Sequence, residues 1–369
     1  MALSQHQQAL SQLQSFNALL PAHLRSMATA HQQFTRYAED SYSANTLRMV
    51  DFAEKHWAHW LAKQTDLPTE CWHEQQLLLY PIWPDILCRY IDELSESMSL
   101  NSVQTYINLL NFKNKKLGFP SLLQHTHVQW AMRRATNRAL DAGEQIGQAQ
   151  PFRLHDLELL LQIFADTDDP KLMRDLLLVW IAYESLLRES ELVNIRCNDL
   201  LPGRQYSIRV RKTKTTKTLE DNEVLLSEPC SQWLHRYMTH FGLPLSSSGY
   251  LFRRLKKNGE LFHSEENCKK LSGRTVDDIF RFFYWQIDPD ARAELQNSIH
   301  TADASRYQTW TGHSARVGAA IDLFVYGASV HEIMRLGRWR NDQTVMRYIR
   351  RVSMQELPMN RMVTERLKR

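Results

Sequence analysis

Cysteine, glycine and proline are all scarce in this sequence, with 5, 12 and 12 residues respectively among 369. The cysteines are odd in number and none forms a C-x-x-C pair, which argues against a disulfide framework and a structural zinc site. Many-stranded sandwiches and barrels need frequent glycine and proline at their turns. We therefore expect reduced thiols and a mainly α chain that is long enough for two domains.

Long hydrophobic runs are also missing. The longest, around Leu176 to Ala182, is far shorter than the roughly 20 residues that cross a bilayer. The Gln- and His-rich N-terminus lacks the basic-then-apolar pattern of a signal peptide. The 15 histidines are scattered without H-x-x-x-H or H-E-x-x-H spacing, so no metal is predicted. We expect a cytoplasmic protein with no membrane partner, no metal and no other cofactor.

Charge of one sign is not in large excess, since the formal net charge is only +4. Local clustering says more than this total, because basic residues gather in the second half of the chain. A single cluster is usually a solvated face. Three clusters in one half favour a polyanionic partner. They are Arg204, Arg209, Arg211, Lys212, Lys214 and Lys217; Arg253, Arg254, Lys256 and Lys257; and Arg335, Arg338, Arg340, Arg347, Arg350 and Arg351.

Apolar residues at helical spacing predict a bundle over residues 23–138, after a Gln-rich flexible arm over residues 1–22. Residues 139–151 hold two glycines and no apolar periodicity, and are interpreted as a linker. The polar faces of the bundle are compatible with binding DNA or another protein. Its helices are predicted at Ser43–Ala62, Trp83–Leu94, Ser99–Lys116 and Val128–Arg138.

Residues 152–369 are predicted to form a mostly helical domain with a small antiparallel β-sheet. After a first amphipathic helix, a nearly apolar and therefore buried helix is expected to carry Arg188 at its end. Glu191 is the simplest partner for this arginine, and on these residues alone a structural ion pair is the simpler interpretation. Further predicted elements are a hairpin from Tyr206–Val210 to Glu223–Leu226 with Lys214 near its turn, a helix after Ser231, a strand and turn around Asn258-Gly259, and a helix over Ser272–Trp285.

The stretch from Thr311 to Val352 is predicted to form three short helices. His313 and Arg316 are three residues apart and would share one helical face. Gly327 is a candidate C-terminal stop, and Ser329 with Glu332 has the spacing of a capping box. Asn341 can cap the third helix, which carries Val345, Tyr348 and Ile349 at helical spacing.

Six side chains along the chain would together suit phosphodiester chemistry, although each alone is unremarkable as a packing or surface residue. Arginine presents a planar fork that matches two phosphate oxygens and stays charged at any working pH. A tyrosine hydroxyl could attack phosphorus, and a lysine could protonate the leaving oxygen. Guanidinium groups would neutralise the charge, so no metal is required. The set is Arg188, Lys214, His313, Arg316, Trp339 and Tyr348.

Four motifs around these residues resemble those of the tyrosine site-specific recombinases of the phage integrase family. They are LLRESEL around Arg188, RKTKT around Lys214, TGHSARVGAA around His313 and Arg316, and LGRWRNDQTVMRYIRR, which ends past Tyr348. As a set they are highly specific. The SANTLRMV, LGFP and DAGE segments of the first half extend the resemblance over roughly residues 25–355.

The resemblance implies a role for each residue of the set. Arg188, His313, Arg316 and Trp339 would bind the scissile phosphate, and Glu191 would orient its neighbours. Lys214 would be the general acid, and Tyr348 the nucleophile that forms a 3′-phosphotyrosine. Two domains would clamp double-stranded DNA as a C shape. Four protomers would act on two target sites with inverted repeats through a Holliday junction, with a C-terminal helix, about Leu357 to Leu367, docked into the neighbouring protomer.

Base-reading positions are also implied by the resemblance. Arginine on guanine O6 and N7 is the strongest contact expected in the major groove. The positions are Arg48 and Met49 on one helix, Asn101 and Thr105 on another, and Arg274 and Asp277 in the second domain. Short Asn, Thr and Asp side chains at three of them predict a target site of the chain's own.

Other interpretations remain open from the sequence. A type IB topoisomerase shares the tyrosine chemistry but would act as a monomer with little sequence demand. A DNA-binding protein that does not cleave would not need the complete set of six residues. A helical scaffold protein would leave that set unexplained. A bacterial, phage or plasmid origin and association with the nucleoid are expected.

Overall fold

The computed structural model describes residues 42–73, 76–144, 147–211, 222–262, 269–288, 309–355 and 366. The chain divides into two compact units, residues 1–146 and 147–369. The division falls inside the predicted linker, although its first residues, up to Asp141, still belong to a helix. The predicted N-terminal arm and, apart from Arg366, the predicted C-terminal docking helix lie outside the described residues.

The first unit contains four α-helices in its described part: α1 (Ala44–Leu61), α2 (Pro84–Ser97), α3 (Leu100–Lys116) and α4 (Thr126–Asp141). The four helices predicted here are confirmed, and α2 and α4 extend further than expected. Ser43 and Ser99 cap α1 and α3, since each hydroxyl accepts a backbone N–H from the first turn. An antiparallel pair of two-residue strands, β1 (Trp72–His73) and β2 (Gln76–Leu77), was not predicted.

The second unit is mainly helical with a three-stranded antiparallel sheet, which confirms the predicted fold class. The sheet has the order β3 (Leu200–Leu201), β4 (Ser207–Val210), β5 (Asn222–Leu225), with Ile208 opposite Leu200 and Val224. Its helices are α5 (Leu154–Phe164), α6 (Pro170–Ser185), α7 (Glu189–Leu192), α8 (Glu228–His240), α9 (Gly273–Ile287), α10 (Ser314–Tyr326), α11 (Val330–Gly337) and α12 (Asp342–Gln355).

Helix α6 is the centre of this unit. It packs against α5, α7, α8, α9 and α10, and its residues from Met173 to Ala182 are all buried, as its apolar sequence predicted. Helix α10 approaches the start of the unit very closely. A Cβ atom at Gly318 would lie 1.7 Å from the backbone oxygen of Phe152, so only glycine fits this contact.

Three local predictions were wrong. The buried helix does not reach Arg188: it ends at Ser185, because Leu186 adopts a left-handed conformation (φ 48°). The helix expected after Ser231 begins at Glu228, since Ser227 provides its cap. Around Asn258-Gly259 the described chain makes single bridges between residues instead of strands. None of the described helices is long and apolar enough to span a membrane.

Candidate active site

Helices α10, α11 and α12 pack on one another around a small apolar cluster that includes Val317, Ile333, Val345 and Ile349. The predicted caps form: the Ser329 hydroxyl accepts the Glu332 N–H, and the Asn341 side chain accepts the Gln343 N–H. Gly327 ends α10 in the left-handed region, at φ 106°. These local signals mark the end of α10 and the starts of α11 and α12.

Tyr348 lies on the inner face of α12, where its residue is only 7% exposed. Its Oη is 2.8 Å from Nε2 of His313, which precedes the first residue of α10. The rings of His313 and Trp339 both meet the tyrosine ring edge-on, with centroids 5.7 Å away in each case. The phenol oxygen is therefore held in one place by contacts from two different helix ends.

The surroundings of Tyr348 and His313 favour the neutral form of both side chains. Burial raises the pKa of Tyr348, and the charges of Arg316, Arg347 and Arg188 oppose this rise. The pKa of His313 is lowered to about 4, first because the surrounding protein displaces water and then because Arg316 and Arg188 repel the charged ring. A neutral imidazole has one nitrogen able to accept a proton. The geometry therefore allows Nε2 of His313 to accept a hydrogen bond from the Tyr348 hydroxyl.

Arg316 is almost completely buried, at 1% exposed. Its guanidinium donates to the backbone oxygens of Leu186 and Gly337, the latter at 3.0 Å. It also lies over the indole ring of Trp339, 4.5 Å from the centroid. Burial and then repulsion by Arg188 lower the pKa of Arg316 to about 10. The group stays charged at neutral pH, but this charge is costly until an anion binds.

Arg188 stands directly before α7 and shares an ion pair with Glu191. Its Nη1 is 2.9 Å from Oε1 of Glu191, and the Arg188 backbone N–H donates to Oε2 at 3.0 Å. The Glu191 side chain is 4% exposed and that of Arg188 is 24% exposed. The carboxylate therefore fixes both the backbone and the side chain of an arginine that remains partly open to solvent.

The indole of Trp339 packs flat against the turn that precedes it. A Cβ atom at Gly337 would lie 2.0 Å from this ring, so a glycine is required there. The sequence suggested the Trp339 N–H as a phosphate donor. In the structure the indole ring makes a cation–π contact with the Arg316 guanidinium and an edge-to-face contact with the Tyr348 ring.

The structure thus brings together six of the seven predicted catalytic residues: Arg188, Glu191, His313, Arg316, Trp339 and Tyr348. The seventh, Lys214, lies outside the described residues. The two strands that precede and follow it, β4 and β5, pair as predicted.

The proposed base-reading residues are placed less uniformly. In the first unit Arg48, Met49 and Asn101 are exposed, whereas the Thr105 hydroxyl donates to the backbone of its own helix at Asn101. In the second unit Arg274 is exposed at the start of α9. Asp277, one turn later, is half-buried, and its carboxylate accepts the backbone N–H of Gly312 at 2.9 Å.

Arg338 also belongs to the candidate active site, where it lies near Arg188 and Glu191. From the sequence it was placed only in the third basic cluster. Its guanidinium donates to the backbone oxygen of Ser185 at 2.9 Å. Burial lowers its pKa, and so does the charge of Arg188, while Glu191 has the opposite effect. No sequence signal marks Arg338 as part of this site. It occupies a left-handed turn (φ 55°), where a helix end usually has glycine, so its position could not be read from the local pattern.

Comparison with known proteins identifies the class. The model of the phage integrase family matches residues 151–354, more than half of the chain, and the chain belongs to this family. Its members are tyrosine recombinases that cleave and rejoin DNA strands by transesterification, and the chain is an enzyme of this kind.

The chain is also similar to individual recombinases and integrases. It is 29% identical over 328 residues to the Recombinase cre of Escherichia phage P1, covering 88% of this chain and 89% of the relative. It is 23% identical to an Integrase/recombinase xerD homolog of Selenomonas ruminantium, covering 85% and 84%. Its fold is similar to that of the XerH site-specific recombinase bound to palindromic difH substrate, with a TM-score of 0.53, 12% identity and coverage of 90% and 85%. The Tn1549 transposon integrase in complex with transposon right end DNA has a TM-score of 0.52, 13% identity and coverage of 90% and 99%.

Proposed function

We propose that the chain is a site-specific recombinase in which Tyr348 attacks DNA and forms a 3′-phosphotyrosine. The observation that carries this assignment is the 2.8 Å contact between Tyr348 Oη and His313 Nε2. Arg188 and Arg316 act on the charge of the same pair. A nucleophile beside a neutral base, within an excess of positive charge, is the arrangement that phosphoryl transfer requires.

In the proposed reaction the scissile phosphate lies against Arg188, His313, Arg316 and Trp339. The Tyr348 oxygen bonds to phosphorus while the bond from phosphorus to the 5′ oxygen breaks. The phenolic proton passes to His313, and Lys214 gives a proton to the departing 5′ oxygen. One phosphodiester replaces another, so the bond energy is kept for rejoining. A 5′-hydroxyl from the partner strand then attacks the phosphotyrosine and releases the enzyme.

The proposed assembly is a tetramer on two double-stranded target sites with inverted repeats, which exchanges strands through a Holliday junction. Membership of the family and 29% identity to the phage P1 recombinase over 88% of the chain support it. A similar fold in a recombinase bound to a palindromic substrate supports the inverted repeats. On the same grounds we propose that the chain is DNA-associated and of bacterial, phage or plasmid origin.

The test is selection of cleaved duplexes from a random inverted-repeat library, with covalent complexes trapped on a denaturing gel. We expect an adduct on one defined pair of half-sites, and its absence with Tyr348→Phe, which lacks the hydroxyl but keeps the ring. Adducts spread over unrelated sequences would instead indicate a type IB topoisomerase. Tight, specific binding without any adduct would indicate a DNA-binding protein that does not cleave.

A further inference from the structure

Two residues other than glycine adopt left-handed backbone conformations in the described chain, and both lie at the active site. Leu186 (φ 48°) ends α6, and Arg338 (φ 55°) ends α11. A side chain in this region strains the backbone, and such strain persists only where surrounding contacts enforce it. Glycine at either position would be easier to accommodate.

The contacts that enforce these two turns connect them to each other. Arg338 reaches from the end of α11 to the backbone oxygen of Ser185, the last residue of α6. Arg316 donates to Leu186 on one side and to Gly337 on the other. Carbonyl groups at the end of a helix have no partner within the helix and carry partial negative charge. Two guanidinium groups therefore bridge the C-termini of α6 and α11.

A catalytic side chain comes shortly after each of these turns. Arg188 is two residues beyond Leu186, and Trp339 is the residue next to Arg338. Any rotation of the turn at the end of α6 would move Arg188 relative to Tyr348, whose helix begins just after Trp339. Arg338 also has an Nε that is buried without a hydrogen-bond partner among the described residues. Burial of this unbonded N–H costs free energy that an arginine on the solvated surface would not lose.

We propose that Arg338 is a positioning residue for DNA cleavage. By fixing the end of α6 against the end of α11, it sets the distance between Arg188, which binds the phosphate, and Tyr348, which attacks it. This rests on the proposed function of these two residues. Arg338 acts on the cleavage step and leaves DNA affinity unchanged, because its guanidinium is bonded to the backbone at Ser185.

The test compares Arg338→Gly, Arg338→Lys and a control, Asp168→Gly. Glycine relieves the left-handed strain, so Arg338→Gly should melt no lower than the parent protein. Asp168 is an exposed residue of the same unit, in the loop between α5 and α6 and outside the three basic clusters. Single-turnover cleavage at saturating protein should fall about 100-fold in Arg338→Gly, the loss that a misplacement near 1 Å causes. Arg338→Lys, which keeps one donor for Ser185, should recover part of the rate, and Asp168→Gly should match the parent.

Two further measurements separate positioning from other roles. DNA affinity, measured with each change in the Tyr348→Phe background, should stay constant. Amide hydrogen exchange of a peptide over residues 183–192 in DNA-free protein should speed up in Arg338→Gly but not in Asp168→Gly. The exchange result does not depend on catalysis, so it stands or falls separately from the proposed function.

Several outcomes would overturn the proposal. Weaker DNA binding with an unchanged cleavage rate at saturation would make Arg338 a DNA contact. A drop in Tm that parallels the loss of cleavage would make it a general stabilising residue. Unchanged exchange over residues 183–192, or an Arg338→Lys variant as slow as Arg338→Gly, would show that the bond to Ser185 does not position Arg188. If the parent protein forms no covalent adduct, the proposed function fails instead.

Discussion

Replacing Glu191 by Gln tests how the charges of the active-site arginines are balanced. Glu191 offsets the mutual repulsion of Arg188, Arg316 and Arg338, and it accepts two hydrogen bonds from Arg188. Glutamine has nearly the same shape and retains an acceptor oxygen, so the change removes one negative charge without creating a cavity. The expected result is a less stable second unit with an intact fold.

The size of the effect depends on burial. Hydrogen bonds to charged groups contribute about 1.5–3 kcal/mol, against roughly 1 kcal/mol for neutral ones. Arg188 is 24% exposed, so solvent screens part of the ion pair, and we expect a loss of about 1–2 kcal/mol. For a unit of this size each kcal/mol lowers Tm by about 2–4 °C, which gives a fall of roughly 2–8 °C.

The assay is thermal unfolding with and without target DNA, alongside DNA binding and cleavage. Binding should not weaken in Glu191→Gln, because the site becomes more positive, whereas cleavage should slow as Arg188 loses its orientation. Asp168→Asn is the matched control: its carboxylate is 3.2 Å from Arg236 but 97% exposed, so its loss should change Tm very little. Equal Tm values for Glu191→Gln and the parent, or equal losses in both variants, would refute the reasoning.

Three further predictions concern the loop before α10 and helix α9. Arg274→Ala should relax preference at one base position in the library selection; an unchanged consensus would remove Arg274 from base reading. Asp277→Ala should slow cleavage with preference retained, and Asp277→Asn, which keeps an acceptor for Gly312, should restore it; a changed base preference would favour base reading instead. His313 has a folded pKa near 4, below the unfolded value of about 6.5, so the unfolded chain binds its proton first and stability falls as pH drops from about 6.5 to 4. Denaturant unfolding across this window should show less acid sensitivity in His313→Gln; identical pH profiles would contradict the lowered pKa.

Much of the fold can be predicted from local sequence signals. Ser43, Ser99 and Ser329 each stand before a helical apolar pattern, and each caps a helix in the structure. The alternation around β4 and β5 predicted their pairing. These signals act within a few residues, so they can be recognised without knowing the rest of the molecule.

The errors arise where distant parts of the chain decide. The end of α6 carries no glycine or proline, and Leu186 and Leu187 continue its apolar pattern. The helix ends where Arg316, 130 residues later in the chain, donates a hydrogen bond to the Leu186 carbonyl. The local sequence contains no signal for this contact. Asp277 is similar: its position on α9 suggested a residue that faces DNA, but its carboxylate meets a backbone group from another element.

The charges around Arg316 and Arg338 favour binding of an anion. A structural ion cluster is normally balanced, since each buried charge needs a partner of opposite sign. Here burial and mutual repulsion lower the pKa of Arg316 and of Arg338, while Glu191 is already bonded to Arg188. A phosphodiester would supply the negative charge that favours the guanidinium group of Arg316. It would also raise the pKa of His313 and so improve that ring as the acceptor of the Tyr348 proton in the proposed reaction.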